Sequence, residues 1–206
     1  MADIYSILFN RIISGEYISG TRLKEEFLAK EFNTSRTPIR TILQQLGQDG
    51  LIQIFPNKGA EVLPFSADEI EEIYEIRKSL ELLCLENSAP VLSVQKLMEL
   101  RKVVIENTNN EDIQLQTELD GKFHSYIINS TGKKRLIDML NQLSRLIQSF
   151  RGLGFMHKET KEITIKEHIE IIDALCRRDK VHAKDLMQKH LENSKMIALS
   201  QLFKTK

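Results

Sequence analysis

Glycine and proline are scarce, 9 and 4 among 206 residues, about half their usual combined share. That scarcity argues against a sandwich or barrel of many short strands and favours long helices. Cysteine is scarcer still: Cys84 and Cys176 stand alone and build no disulfide framework. They read as small buried residues of a reduced cytosolic protein. No uncharged stretch is long enough to span a bilayer. Met1-Ala2-Asp3-Ile4-Tyr5 sets no basic region ahead of an apolar one, so no signal peptide is expected. A surplus of either charge is also missing, with 29 Lys and Arg against 29 Asp and Glu. That balance leaves nucleic acid neither favoured nor excluded, because the distribution of charge decides. What the chain does have is 41% hydrophobic and 28% charged residues, enough to bury a core and too apolar for general disorder. The expectation is a soluble, mainly α, cytoplasmic protein of one or two domains.

The chain changes character near residue 65. Before it, Ile4, Leu8 and Ile12 recur at helical spacing and stop at Gly15. A second short helix fits Lys24 to Phe32, with Phe27, Leu28 and Phe32 on its apolar side, and Asn33-Thr34 forms a turn. Ser35 then caps a third helix whose first turn tolerates Pro38 and whose apolar side holds Ile39, Ile42, Leu43 and Leu46. Leu51–Phe55, a Pro56-Asn57-Lys58-Gly59 turn and Ala60–Leu63 read as a β-hairpin. Together these elements describe a winged helix-turn-helix over residues 1–65. Residues 66–206 divide into about six helices, the first two capped by Ser66 and Ser93 and the third beginning near Asp112, with breaks at Pro90, Gly132 and Gly152. Short loops between them imply an antiparallel all-α bundle.

Arg36 and Arg40 share one face in the first turns of the third helix. Arginine placed there can donate twice to guanine in the major groove or clamp a phosphate. Ser35 and Thr37 add hydroxyl donors at the favourable end of the helix dipole. Two arginines four apart are also what an ordinary solvated helix face carries. Their position after a Ser-capped turn, and before a hairpin tipped by Lys58-Gly59, points to DNA. Arg11–Tyr17, Gly20-Thr21-Arg22-Leu23, Leu28-Ala29, Ser35-Arg36-Thr37-Pro38-Ile39-Arg40 and Asp49-Gly50-Leu51-Ile52 resemble the GntR family of bacterial transcription regulators. The resemblance implies operator contacts from Arg36 and Arg40 and a wing-tip Gly59 approaching the minor groove. The chain departs from the family pattern at Ser19 (usually Pro), Asn33 (usually Gly) and Thr41 (usually Glu).

In the helical part, Asp120 and His124 are four apart on one face. His168 and His190 each sit among apolar residues at helical neighbour positions. Inward polar side chains need partners, which could be backbone carbonyls or water, or one shared divalent cation. Arg77-x-x-x-Glu81, Asp120-x-x-Phe123-His124, His168-x-x-Ile171-x-x-Ala174-Leu175, Asp179 and His190 look like the FCD ligand-sensing domain of the FadR-type GntR subfamily. Six helices look like its shorter, VanR-like branch. That resemblance implies a metal held by Asp120, His124, His168 and His190, with a small carboxylate effector completing the coordination. It also places Arg77 where it could face that carboxylate; the other reading is a surface arginine paired with Glu81. Zinc is the expected ion, with nickel, iron or manganese compatible with the same donors.

The function expected is a homodimeric, effector-responsive regulator, most simply a repressor, that binds a palindromic operator. The alternative is a metal-dependent hydrolase with the winged part as an interaction module, although His-Glu-x-x-His and Gly-x-Ser-x-Gly are absent. A third reading is a purely structural ion.

Overall fold

The computed structural model describes residues 4–13, 16–48, 50–55, 59–63 and 67–204. In chain order the elements are α1 (Ile4–Ile13), β1 (Arg22–Leu23), α2 (Glu25–Glu31), α3 (Arg36–Gln48), β2 (Ile52–Phe55) and β3 (Gly59–Val62). There follow α4 (Ala67–Ser88), α5 (Val94–Glu106), α6 (Ile113–Asn129), α7 (Lys134–Arg151), a 3-10 helix (Gly152–Phe155), α8 (Lys158–Cys176) and α9 (Lys180–Lys204).

The first part is a winged helix-turn-helix. Ile39, Leu43 and Leu46 of α3 are buried with Leu8 of α1, Leu28 of α2 and Leu51, one inward stripe per helix. The turn between α2 and α3 puts Asn33 at φ 49, a left-handed conformation that Asn tolerates in place of the family's glycine. Thr34 N–H donates to the Ala29 carbonyl at 2.9 Å and closes that turn. The hairpin pairs Ile52 with Val62 and Phe55 with Gly59. β1 adds a third strand, so the sheet order is β1-β3-β2. Gly59 has φ +86, and a Cβ there would lie 2.7 Å from the Leu23 carbonyl oxygen, so the start of β3 requires glycine. Phe27 departs from the sequence expectation: it is 66% exposed. A seven-residue helix has one inward face, and Leu28, Ala29 and the half-buried Phe32 occupy it.

Among its described residues the second part has six α-helices, as its periodicity predicts. Ser93 caps α5 by accepting from Lys96 N–H, and Asp112 caps α6 by accepting from Gln114 and Leu115 N–H. The expected Ser66 cap and the Pro56–Lys58 hairpin tip lie outside the described residues. The apolar core is continuous across the two parts: Leu8 and Phe9 of α1 belong to the same cluster as Ile70, Tyr74, Phe150, Leu153 and Ala198. Phe9 lies against Gly152, where an added Cβ would meet its ring at 3.3 Å. Ser6 also donates to Gln114 of α6. No helix among the described residues is long and apolar enough to cross a membrane.

Candidate functional site

Two constellations carry chemistry, one on each part. On the winged part, α3 starts directly after Ser35, so Arg36, Thr37 and Arg40 stand exposed in its first two turns. Arg36 and Arg40 border a concavity of about 880 Å³ whose lining also includes Arg22, Lys24 and Gly59. Lys58 lies outside the described residues. Thr41, the family departure beside Arg40, donates its hydroxyl to the Thr37 carbonyl at 3.3 Å. Sequence reasoning missed the acidic partners of the two arginines. Glu25 accepts from Arg40 Nε and Nη2, each at 2.8 Å. Glu26 Oε1 lies 2.8 Å from Arg36 Nη2. The hydrogen bonds from Arg40 hold the Glu25 carboxyl below its usual range. Both acids sit at the N-terminus of α2, where they favour the helix dipole, and that local role conceals the longer-range one.

In the helical part, α6, α8 and α9 bring Asp120, His124, His168 and His190 together. Their four donor atoms lie within 4.8 Å of one another and all four residues are buried. His190 Nε2 is 3.3 Å from both His168 Nε2 and His124 Nε2. Asp120 Oδ1 is 3.3 Å from His168 Nε2 and 3.8 Å from His124 Nε2. Metal–ligand bonds of about 2.0–2.2 Å place donors on one ion roughly 3–3.5 Å apart; the three separations of 3.3 Å meet that spacing and Asp120–His124 at 3.8 Å exceeds it. The tautomers fit as well. Glu81 Oε2 lies 2.5 Å from His124 Nδ1, and Glu167 Oε2 lies 2.9 Å from His190 Nδ1. A carboxylate beside Nδ1 favours the tautomer with its proton there, which leaves Nε2 of His124 and His190 as the nitrogen able to ligate an ion. Burial pushes all three imidazoles below their usual pKa, His190 down to about 3, so they are neutral and competent as ligands. Burial opposes ionisation of Asp120, but the charged neighbours, Arg151 and Arg77 among them, outweigh it and hold the carboxyl low.

Arg77 is buried, which removes the surface alternative, and it does pair with Glu81: its Nε donates to Glu81 Oε1 at 2.7 Å. Its Nη2 lies 3.3 Å from His124 Nε2. Burial alone would raise the Glu81 carboxyl, yet Arg77, His124 and Arg151 keep it well below the carboxylate range. Arg151 is the residue the sequence did not reveal. It ends α7, and its Nε lies 2.7 Å from Asp120 Oδ2, an ion pair without hydrogen-bond alignment. Gly121 lies beside it, where a Cβ would sit 3.4 Å from Arg151 Nη1. Glu167 was missed too; it also accepts from Asn193 Nδ2. A cavity of about 10 Å³ adjoins the cluster, lined by Tyr74, Arg77, Asp120 and Arg151 among others. His157 and His182 are exposed and stand apart.

Residues 1–62 match the model of the bacterial regulatory proteins of the gntR family, and residues 72–193 match the FCD domain. The chain is 31% identical over 195 residues to the gluconate operon transcriptional repressor of Bacillus licheniformis, covering 89% of this chain and 77% of that one. It is 27% identical over 196 residues to the HTH-type transcriptional repressor RspR of Escherichia coli (strain K12), covering 92% and 85%. Its fold resembles that of a transcriptional regulator GntR from Rhodococcus sp. RHA1, with a TM-score of 0.69, 22% identity and 96% of each chain covered. These relatives are regulators rather than hydrolases, and FCD domains commonly hold metal ions. A winged helix with an exposed arginine pair, joined to a bundle that buries one aspartate among three histidines, is thus a DNA-binding transcription regulator of the gntR family with an FCD domain.

Proposed function

We propose that this regulator is a repressor whose operator affinity is set by a small carboxylate bound beside a divalent metal ion. The observation that carries the reading is the convergence of three Nε2 atoms and Asp120 Oδ1 within 4.8 Å in a buried site. Asp120, His124, His168 and His190 would hold the ion, for which zinc is the first candidate. When bound, the ion offers a Lewis-acid position that a carboxylate oxygen can occupy.

Charge balance supports an anionic effector. Arg77 and Arg151 face Glu81 and Asp120, Glu167 stands beside His190, and the histidines are neutral, so the cluster holds two cations against three carboxylates. A divalent cation adds two positive charges in a poorly screened interior, and a carboxylate reduces that excess. Arg77, and Arg151 with it, would orient the carboxylate by donating N–H bonds. The adjoining cavity holds about one water, so a ligand must displace Arg151 or its neighbours. Arg151 immediately precedes Gly152, on which Phe9 of α1 rests. Movement there reaches the winged part through packed atoms, and unequal effector affinity for the free and DNA-bound arrangements shifts their populations.

Residues 1–65 would form the DNA-reading domain, with Ser35, Arg36, Thr37, Arg40, Lys58 and Gly59 at the operator. Residues 66–206 would sense the effector and make the homodimer that matches a cytoplasmic palindrome. The test is a gel-shift titration on operator DNA recovered from the host genome, using chelated and zinc-loaded protein with a panel of small carboxylates. The reading expects one acid to release DNA from the loaded protein alone. An ion that stabilises the fold, with no acid altering DNA affinity, would leave only a structural metal.

A further inference from the structure

The two arginines of α3 are held in different ways, and the difference separates their roles. A guanidinium has two edges that can each donate a parallel pair of N–H bonds. Glu25 occupies one edge of Arg40 completely, accepting from Nε and Nη2 at 2.8 Å each. The other edge, Nη1 and the second Nη2 hydrogen, has no partner among the described residues and belongs to an exposed side chain. Glu25 itself is only 24% exposed. Arg36 meets Glu26 through a single Nη2–O contact, with the two side chains 61% and 79% exposed. Such a pair is weak and readily exchanged.

We propose that Glu25 is a positioning residue that aims the free edge of Arg40 at a guanine, while Arg36 leaves Glu26 to clamp a phosphate. Guanine O6 and N7 require two donors in one plane, which a guanidinium clamped along its opposite edge presents ready-made. A carboxylate beside the phosphate backbone opposes binding of any DNA. Its contribution therefore lies in selectivity, through the lower cost of ordering the arginine. The inference rests on the reading of α3 as the DNA-reading helix.

The test is selection from a randomised duplex library by the full-length protein, at one fixed physiological salt concentration, followed by sequencing of the bound DNA. Wild type, Glu25→Gln, Glu26→Gln and Arg40→Ala are compared, with melting curves to confirm folding. Wild type should enrich guanine at one position of each half-site. Glu25→Gln should lower that enrichment about tenfold, toward the level of Arg40→Ala, while binding as much total DNA or more. Glu26→Gln should keep the preference. Retention of the guanine preference by Glu25→Gln, with its loss in Arg40→Ala, overturns the positioning role and leaves the reading helix standing. Retention by Arg40→Ala, or no preference in wild type, removes the reading-helix assignment and the positioning role with it.

Discussion

Glu81→Gln tests the buried charge cluster directly. The Glu81 carboxylate has Arg77 Nε at 2.7 Å, His124 Nδ1 at 2.5 Å and Arg151 Nη2 at 3.9 Å. Glutamine keeps the size and an acceptor for His124 Nδ1, so the substitution removes little but the charge. Arg77 and Arg151 then face Asp120 without Glu81 in a dry interior. Breaking a buried ion pair from one side costs about 3–5 kcal/mol. At the lower figure of about 3 kcal/mol, the melting temperature of a chain this long falls by roughly 6–12 °C. Arg77→Met leaves the opposite imbalance and is expected to destabilise comparably. The double variant restores the original charge balance and should be less destabilised than the sum of the singles by about 2 kcal/mol. Urea titration of the four proteins in chelator, followed by circular dichroism, gives the cycle without a bound ion. A Glu81→Gln loss below about 1 kcal/mol, or strict additivity, would refute the idea that Arg77 depends on Glu81 for its place in the interior.

Gly59→Ala forces a Cβ to 2.7 Å from the Leu23 carbonyl at a left-handed backbone position. It should cost at least about 1–2 kcal/mol and weaken operator binding in gel shifts, while metal uptake by the bundle stays unchanged. Chelation should lower the melting temperature, and added zinc should restore it; a melting curve indifferent to both would argue against a metal centre. Phe9→Ala empties a site between α1 and Gly152 and should cost about 3–5 kcal/mol. Calorimetry should still show one transition, because that core is shared; two resolved transitions would contradict its continuity.

Much of this is legible in the sequence because the signals are local. Helical periodicity, Ser93 as a cap, the helix start near Asp112 and the glycine breaks define the bundle within a residue or two. The i,i+4 pair Asp120–His124 and the apolar flanks of His168 and His190 are equally visible there. The missed features are those made by distant segments. β1 has two residues and exists only by pairing with β3; no period shows in so short a stretch. Arg40 finds Glu25 fifteen positions away, and Arg151 reaches Asp120 from the far end of α7. Phe27 reads as core by type alone, but the neighbouring Leu28 decides which face turns inward.

If the proposed effector binds beside Arg77 and Arg151, the one-water cavity there also governs how fast the protein responds. A ligand larger than water cannot enter the described arrangement by diffusion alone; a rarer open form has to appear first. Raising ligand concentration then speeds association only until the opening rate is reached, and the observed rate levels off. Under the proposed function, the speed of the response is then set by that opening step and not by the amount of effector.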